Sequence, residues 1–274
     1  MATYQRRNVE MANQFIAALD QSGGSTSTVL ERYGQEYTED NKFDLMHDMR
    51  MRMVNSPDFN DTRIWGAILF KDSVTRGLAV IMNAKNIKPF LKVDVGCEDN
   101  GYMKYFRVHD AINFAIDYEC YGTKMRSVVK TENILRPVLT QQFANAEEIY
   151  SKGLMPIVEP EIPIDSGDKE RLENILRDEI AKRLEDFDGR CILKLTLPEK
   201  ENFYTELADS SSVERIVGLS GGYRLGDACE KLHKQDRMSA SFSRALSEGL
   251  TINQTEGQFS DTLTDNIHTI WRAS

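Results

Sequence analysis

Eight short, apolar, β-rich runs separated by stretches of helical spacing constrain this chain more than any other feature. The runs are "FIAALD" (15–20), "RIWGAILF" (63–70), "IKPFLKVD" (87–94), "IDYECYGTKMR" (116–126), "LMPIVEPE" (154–161), "RCILKLTL" (190–197), "RIVGLSGG" (215–222) and "MSASFSRA" (238–245). In the intervening "GDKERLENILRDEIAKRLEDF", Leu172, Ile175, Leu176, Ile180 and Leu184 fall on one helical stripe. A second helix is predicted from "TENILRPVLTQQFANAEEIYSKG", broken by Pro137 near its start and closed by Gly153. Strand and helix alternating eight times over about 250 residues predict an α/β fold, a (β/α)8 TIM barrel, in one domain spanning 1–274. Residues 1–14 read as an extra N-terminal helix and 257–271 as the last outer helix. An open doubly wound sheet would want a GxGxxG turn after its first strand, and "DQSGGST" (20–26) lacks that spacing.

Charge narrows the function. With 34 Lys and Arg against 43 Asp and Glu, the formal net charge of −9 argues against a nucleic-acid binder, which would need a basic face. It leaves room for an anionic small molecule, because the local field of a cleft can oppose the net charge. Cys97, Cys120, Cys191 and Cys229 show no CxxC pairing and read as reduced thiols, which suggests a cytoplasmic protein. No apolar leader opens the chain and no stretch approaches a membrane span. His47, His109, His233 and His268 are scattered without ligand spacing, so no metal site is expected.

Alternate residues of a strand share a face. In the sixth run Ile192, Lys194 and Thr196 share one face, and Cys191, Leu193, Leu195 and Leu197 the other. The apolar face should pack on helices, so Lys194 should point into the barrel. The same parity joins Lys92 with Asp94, Lys124 with Arg126, and Glu159 with Glu161, and it places Asp20 with Ile16 and Ala18. Each charge lies at or near the C-terminal end of its run, and in this fold those ends converge on one mouth. A charge at a strand end usually marks only the start of a solvated loop. Five strands placing charge on a single parity call for more, because buried charges are costly unless they pair or do chemistry.

Partial desolvation and the cations Lys92, Lys124 and Arg126 would favour a neutral amine at Lys194. Such an amine attacks carbonyls and forms a Schiff base, which then serves as an electron sink. Glu159, Glu161 and Asp20 offer carboxylates for proton transfer. "LSGG" (219–222) and Arg244 end the last two runs, where loops of this fold habitually hold phosphate. Ser22 and Ser25 with Lys92 could hold a second phosphate across the mouth.

Together "FIAALDQSGGST", "FLKVD", "YGTKMRS", "PIVEPEI", "ILKLTLP", "LSGGY" and "ASFSRAL" resemble class I fructose-bisphosphate aldolase of the short bacterial form, in family order and over nearly the whole chain. The resemblance implies reversible cleavage of fructose 1,6-bisphosphate to dihydroxyacetone phosphate and glyceraldehyde 3-phosphate, with no metal or other cofactor beyond the covalent Schiff base. It implies Lys194 as the Schiff-base lysine and Glu159 as the acid/base. Glu161 and Lys124 would assist proton traffic, and Asp20 would orient substrate hydroxyls. Ser220, Gly221, Gly222 and Arg244 would serve the C1 phosphate, and Ser22, Ser25, Lys92 and Arg126 the C6 phosphate. The expected partner is a sugar phosphate, with no nucleic acid and no membrane. A homo-oligomer is compatible with the sequence. The alternatives are a Schiff-base aldolase for another phosphorylated ketose, such as sedoheptulose bisphosphate or fructose 1-phosphate, and a non-catalytic sugar-phosphate-binding barrel.

Overall fold

A computed structural model describes residues 13–22 and 24–274; the helix expected over 1–14 lies almost wholly outside them. Eight parallel strands run in sequence order around one sheet: β1 (Phe15–Leu19), β2 (Ile64–Leu69), β3 (Lys88–Lys92), β4 (Gly122–Val128), β5 (Met155–Glu161), β6 (Cys191–Thr196), β7 (Val213–Leu219) and β8 (Met238–Ala240). The Ala18 N–H donates to the Phe242 carbonyl at 3.1 Å and closes the ring between the last strand and the first. The helices are α1 (Gly24–Tyr33), α2 (Lys42–Asn55), α3 (Lys71–Thr75), α4 (Leu78–Ala84), α5 (Val108–Asp117), α6 (Glu132–Ser151), α7 (Lys169–Asp186), α8 (Leu225–His233) and α9 (Glu256–Ala273). This is a (β/α)8 barrel. Among the described residues no helix is long and apolar enough to cross a membrane.

Three expectations are corrected. The fourth strand does not begin at 116. Residues 116 and 117 finish α5, and Glu119 takes a left-handed φ of 52° that turns the chain before Gly122. The apolar, aromatic run 116–121 therefore supplies a helix end and a turn. The eighth strand is only Met238–Ala240, so Arg244 sits in the following turn. Pro137 does not break its helix, because α6 runs unbroken from Glu132 through it. The buried Leu135, Val138, Leu139 and Phe143 hold that helix on the barrel and offset the one hydrogen bond a proline forfeits.

Two apolar layers form. Outside, alternate strand residues such as Leu193 and Leu195 pack on the helices, where Leu172, Leu176, Ile180 and Leu184 of α7 are buried as the stripe predicts. Inside, Ile16, Ile68, Phe90, Ile157, Ile192 and Val217 plug the lower half of the barrel. Phe90 fits because both neighbouring strands carry glycine beside it: a Cβ on Gly66 would lie 2.9 Å from its ring and one on Gly122 2.8 Å. Below the plug, Lys88 Nζ and the Arg215 guanidinium stack on Trp65 at 4.8 and 4.7 Å from the ring centroid. The hydrocarbon plug thus separates the charged groups of the upper mouth from Lys88 and Arg215 at the opposite end.

Candidate active site

The strand tops enclose a cavity of about 450 Å³. Of the residues singled out in the sequence, all but Gly222 and Ser25 line it. Gly222 lines a neighbouring cavity, and the side chain of Ser25 lies outside the described residues. Parallel register sets the heights: Lys92 stands beside Lys124, and Arg126 beside Glu159. Ile157 pairs with Ile192, so Glu159 and Lys194, each two residues on, also stand side by side.

The charges pair in a pattern that parity alone did not specify. Lys124 is buried, with Glu159 Oε2 at 2.7 Å, Asp20 Oδ2 at 2.9 Å and Asp94 Oδ2 at 4.0 Å from its Nζ. Lys194 is buried, with its Nζ 3.3 Å from Glu159 Oε1. Lys92 donates to Asp94 Oδ1 at 2.7 Å, and Arg126 Nε to Glu161 Oε2 at 2.5 Å. Thus the cations expected to crowd Lys194 each stand against a carboxylate, and the charged group the amine meets is Glu159. Glu159 and Glu161 each stand against a different cation, Lys124 for the first and Arg126 for the second.

The lysines settle the charge state of Asp20. Burial pushes its carboxyl up, but Lys124 and Lys194, and the hydrogen bond from Lys124, outweigh burial and hold it well below the usual carboxylate range. Burial likewise opposes the charge of Lys124, but Asp20, Glu159 and Asp94 hold its ammonium well above the ordinary lysine range. Lys124 is accordingly a fixed cation across the physiological range.

At the other side of the mouth, Ser220 is buried and Gly221 takes a left-handed φ of 58°. A Cβ on Gly221 would lie 2.6 Å from Ile164 Cγ2, so only glycine fits this turn. The exposed Arg244 guanidinium reaches over Gly222, its Nη2 3.5 Å from where a Cβ there would stand. An ion cluster braces this loop from behind. Buried Lys169 donates to the Leu197 carbonyl at 2.9 Å, to Glu173 at 2.5 Å and to Glu199 at 2.9 Å. Hydrogen bonds from Lys169 and Lys231 pull Glu199 down to about 2, and Glu199 accepts from Tyr223 at 3.3 Å. The end of β6 is thereby tied to the turn that follows β7.

The sequence reading left four contributors uncounted. Asp94 was noted on the face of Lys92 but not counted, although it is buried between two lysines. Ser241 lines the cavity, and its buried Oγ has no hydrogen-bond partner among the described residues. Gln21 Nε2 donates to Ser243 Oγ at 2.6 Å, linking the turn after β1 to the one that carries Arg244. Arg50 of α2 is buried and donates to the Gln21 carbonyl at 2.6 Å and to Ser73 Oγ at 2.8 Å. Burial pulls its guanidinium down to about 10 against the opposing pull of Asp20 and Asp72. Asp94 and Ser241 were legible by strand parity, but nothing in a helix pattern points to Arg50.

Among the described residues no three His, Cys, Asp or Glu gather as a metal would need, and all four cysteines are free. The site thus sets a buried amine beside a buried carboxylate at the C-terminal mouth of a (β/α)8 barrel, the end at which enzymes of this fold carry their active sites. A scan of protein-family models gives no match. By sequence, the chain is 43% identical over 289 residues to the class 1 fructose-bisphosphate aldolase of Clostridium acetobutylicum, covering 98% of each chain. It is 40% identical over 287 residues to that of Porphyromonas gingivalis, again covering 98% of each. The chain belongs to the class 1 fructose-bisphosphate aldolases. Its fold is shared with the fructose-bisphosphate aldolase of Plasmodium falciparum, at a TM-score of 0.74 and 19% identity, over 96% of this chain and 93% of that one.

Proposed function

We propose that the cavity cleaves fructose 1,6-bisphosphate reversibly between C3 and C4 through a Schiff base on Lys194. The observation that carries this reading is the 3.3 Å contact between the Lys194 amine and Glu159, whose other oxygen is held by Lys124. The amine passes a proton to Glu159 and attacks the C2 carbonyl. A second proton passes from the attached nitrogen to the C2 oxygen to give the carbinolamine, whose hydroxyl then takes the proton held by Glu159 and leaves as water, giving a protonated imine. That imine draws the electrons of the C3–C4 bond as the C4 hydroxyl gives its proton to Glu159. The aldehyde half departs, the enamine takes at C3 the proton that Glu159 drew from the C4 hydroxyl, and water adds to the resulting imine to release the ketone half from Lys194 by the reverse of the first steps.

Lys124 acts here as a fixed positive charge that steadies Glu159 and Asp20, and it passes no proton to or from the substrate. Asp20, held ionised, accepts from a substrate hydroxyl and faces the imine cation. Ser220, the backbone at Gly221 and Gly222, and Arg244 take the C1 phosphate. Ser22, Ser25, Lys92 and Arg126 serve the C6 phosphate, and Glu161 orients Arg126. Two anion-binding ends favour a bisphosphate over fructose 1-phosphate. The imine supplies the electron sink, so a chelator is expected to leave turnover unchanged.

Borohydride reduction in the presence of dihydroxyacetone phosphate tests the assignment. One adduct is expected, on the peptide carrying Lys194, and none in Lys194→Met. An adduct on another lysine, or no adduct with a folded protein, refutes it.

A further inference from the structure

A second cavity, of about 350 Å³, opens beside the first between α1, α2 and the turns after β7 and β8. Val29 and Arg244 line both cavities. Its floor is apolar: Val29, Tyr33, Met49 and Leu250 are all buried. Its rim carries three guanidinium groups, from Arg32, Arg224 and Arg244. One carboxylate, Glu248, faces them. Its Oε2 accepts the Leu225 N–H at 3.0 Å and its Oε1 stands 3.8 Å from Arg224 Nε, so it offsets one of the three guanidinium groups. Arg32 and Arg244 have no ion-pair partner among the described residues. The active cavity balances its lysines with acids, whereas this one has an excess of cations above hydrocarbon.

A concave site of this size with an apolar floor and a few convergent polar groups suits a small ligand. Guanidinium forks match the oxygens of carboxylate and phosphate alike, and several cations together favour the more highly charged phosphate. The floor selects for a body that sheds water. We propose that the second cavity binds an organic phosphate with an aromatic or apolar body, and that this ligand inhibits the enzyme by drawing Arg244 out of the active cavity. The inference rests on the assignment of Arg244 to a substrate phosphate. One guanidinium cannot serve phosphates in two cavities at once, so inhibition is competitive although the inhibitor's body lies outside the active cavity.

Phenyl phosphate is a suitable probe, with inorganic phosphate as the control lacking a body. In steady-state cleavage, phenyl phosphate is expected to compete with substrate and to inhibit at lower concentration than inorganic phosphate. Arg32→Gln and Arg224→Gln should each raise its inhibition constant by about fivefold, the scale of one exposed ion pair. Neither should change kcat or KM, and neither should alter inhibition by inorganic phosphate. If both variants leave phenyl phosphate inhibition unchanged, the probe sits in the active cavity and the proposal fails. Equal potency of the two phosphates refutes it as well. Calorimetric titration of the same proteins with phenyl phosphate reads the site whether or not the barrel turns over, so failure of the aldolase reading is told apart from failure of this one.

Discussion

Lys124 and Lys194 share a single carboxylate: Glu159 offers one oxygen to the first at 2.7 Å and the other to the second at 3.3 Å. In the mechanism proposed above, a proton leaving Lys194 therefore arrives on a group already steadied by a permanent cation. The same carboxylate stands in position to return that proton to the departing oxygen.

Glu159→Gln keeps the shape of this bridge and removes its basicity. Turnover should fall by about 10²–10⁴-fold, the range for loss of a positioned acid/base. KM should stay within a few-fold. A turnover loss below tenfold would assign the proton transfers to another group.

Lys124→Met leaves Asp20 and Glu159 buried without their shared cation. Removing one partner of a buried pair costs about 3–5 kcal/mol, and chemical denaturation at pH 7 measures it. The pH dependence carries a definite sign. The folded protein holds the Asp20 pKa below its unfolded value, so the stabilisation is complete above about pH 4 and is lost as pH falls further. Without Lys124 that acid-sensitive contribution shrinks. The stability gap between wild type and variant should therefore narrow from pH 5 to pH 3. A gap that stays constant would mean that Lys124 does not govern Asp20.

Arg50→Met severs the tie from α2 to the Gln21 carbonyl and, through Gln21 and Ser243, to the turn bearing Arg244. Substrate KM should rise by about tenfold, with kcat less affected, because binding geometry is what the tie preserves. Gln21→Met, which keeps the buried arginine, should reproduce part of that rise, and Arg50→Lys should recover some of the loss. Equal falls in kcat and kcat/KM would place the effect on the chemistry instead.

Gly221→Ala forces a side chain into a left-handed turn and against Ile164. The expected result is weaker binding of the phosphate end, seen as a KM rise of about tenfold or more, with borohydride trapping of Lys194 retained at saturating ketone. Arg244→Ala should act the same way. An unchanged KM in either variant would remove that residue from the phosphate site.

Much of the barrel was legible because strand parity is a strict code. Lys92, Lys124, Glu159 and Lys194 all point inward as alternation requires, and the stripe on α7 packs as written. What parity cannot encode is distance between strands. That Lys124 would sit among three acids, leaving Lys194 to Glu159, depends on register and on the height of each residue in the barrel. Arg50 escaped for a related reason: on a helix of mixed polarity it reads as surface, and only folding brings it behind Asp20 and Gln21. Pro137 misled because a local penalty was weighed without the tertiary burial that overrides it.

The hydrocarbon stopper around Phe90, sealed beneath by Trp65 with its two stacked cations, gives the reaction chamber a blind end. Reactants and products must share one doorway. In the proposed reaction the bond to Lys194 fixes which half leaves last, and the floor fixes the route, so both halves pass the phosphate-binding turns on their way out.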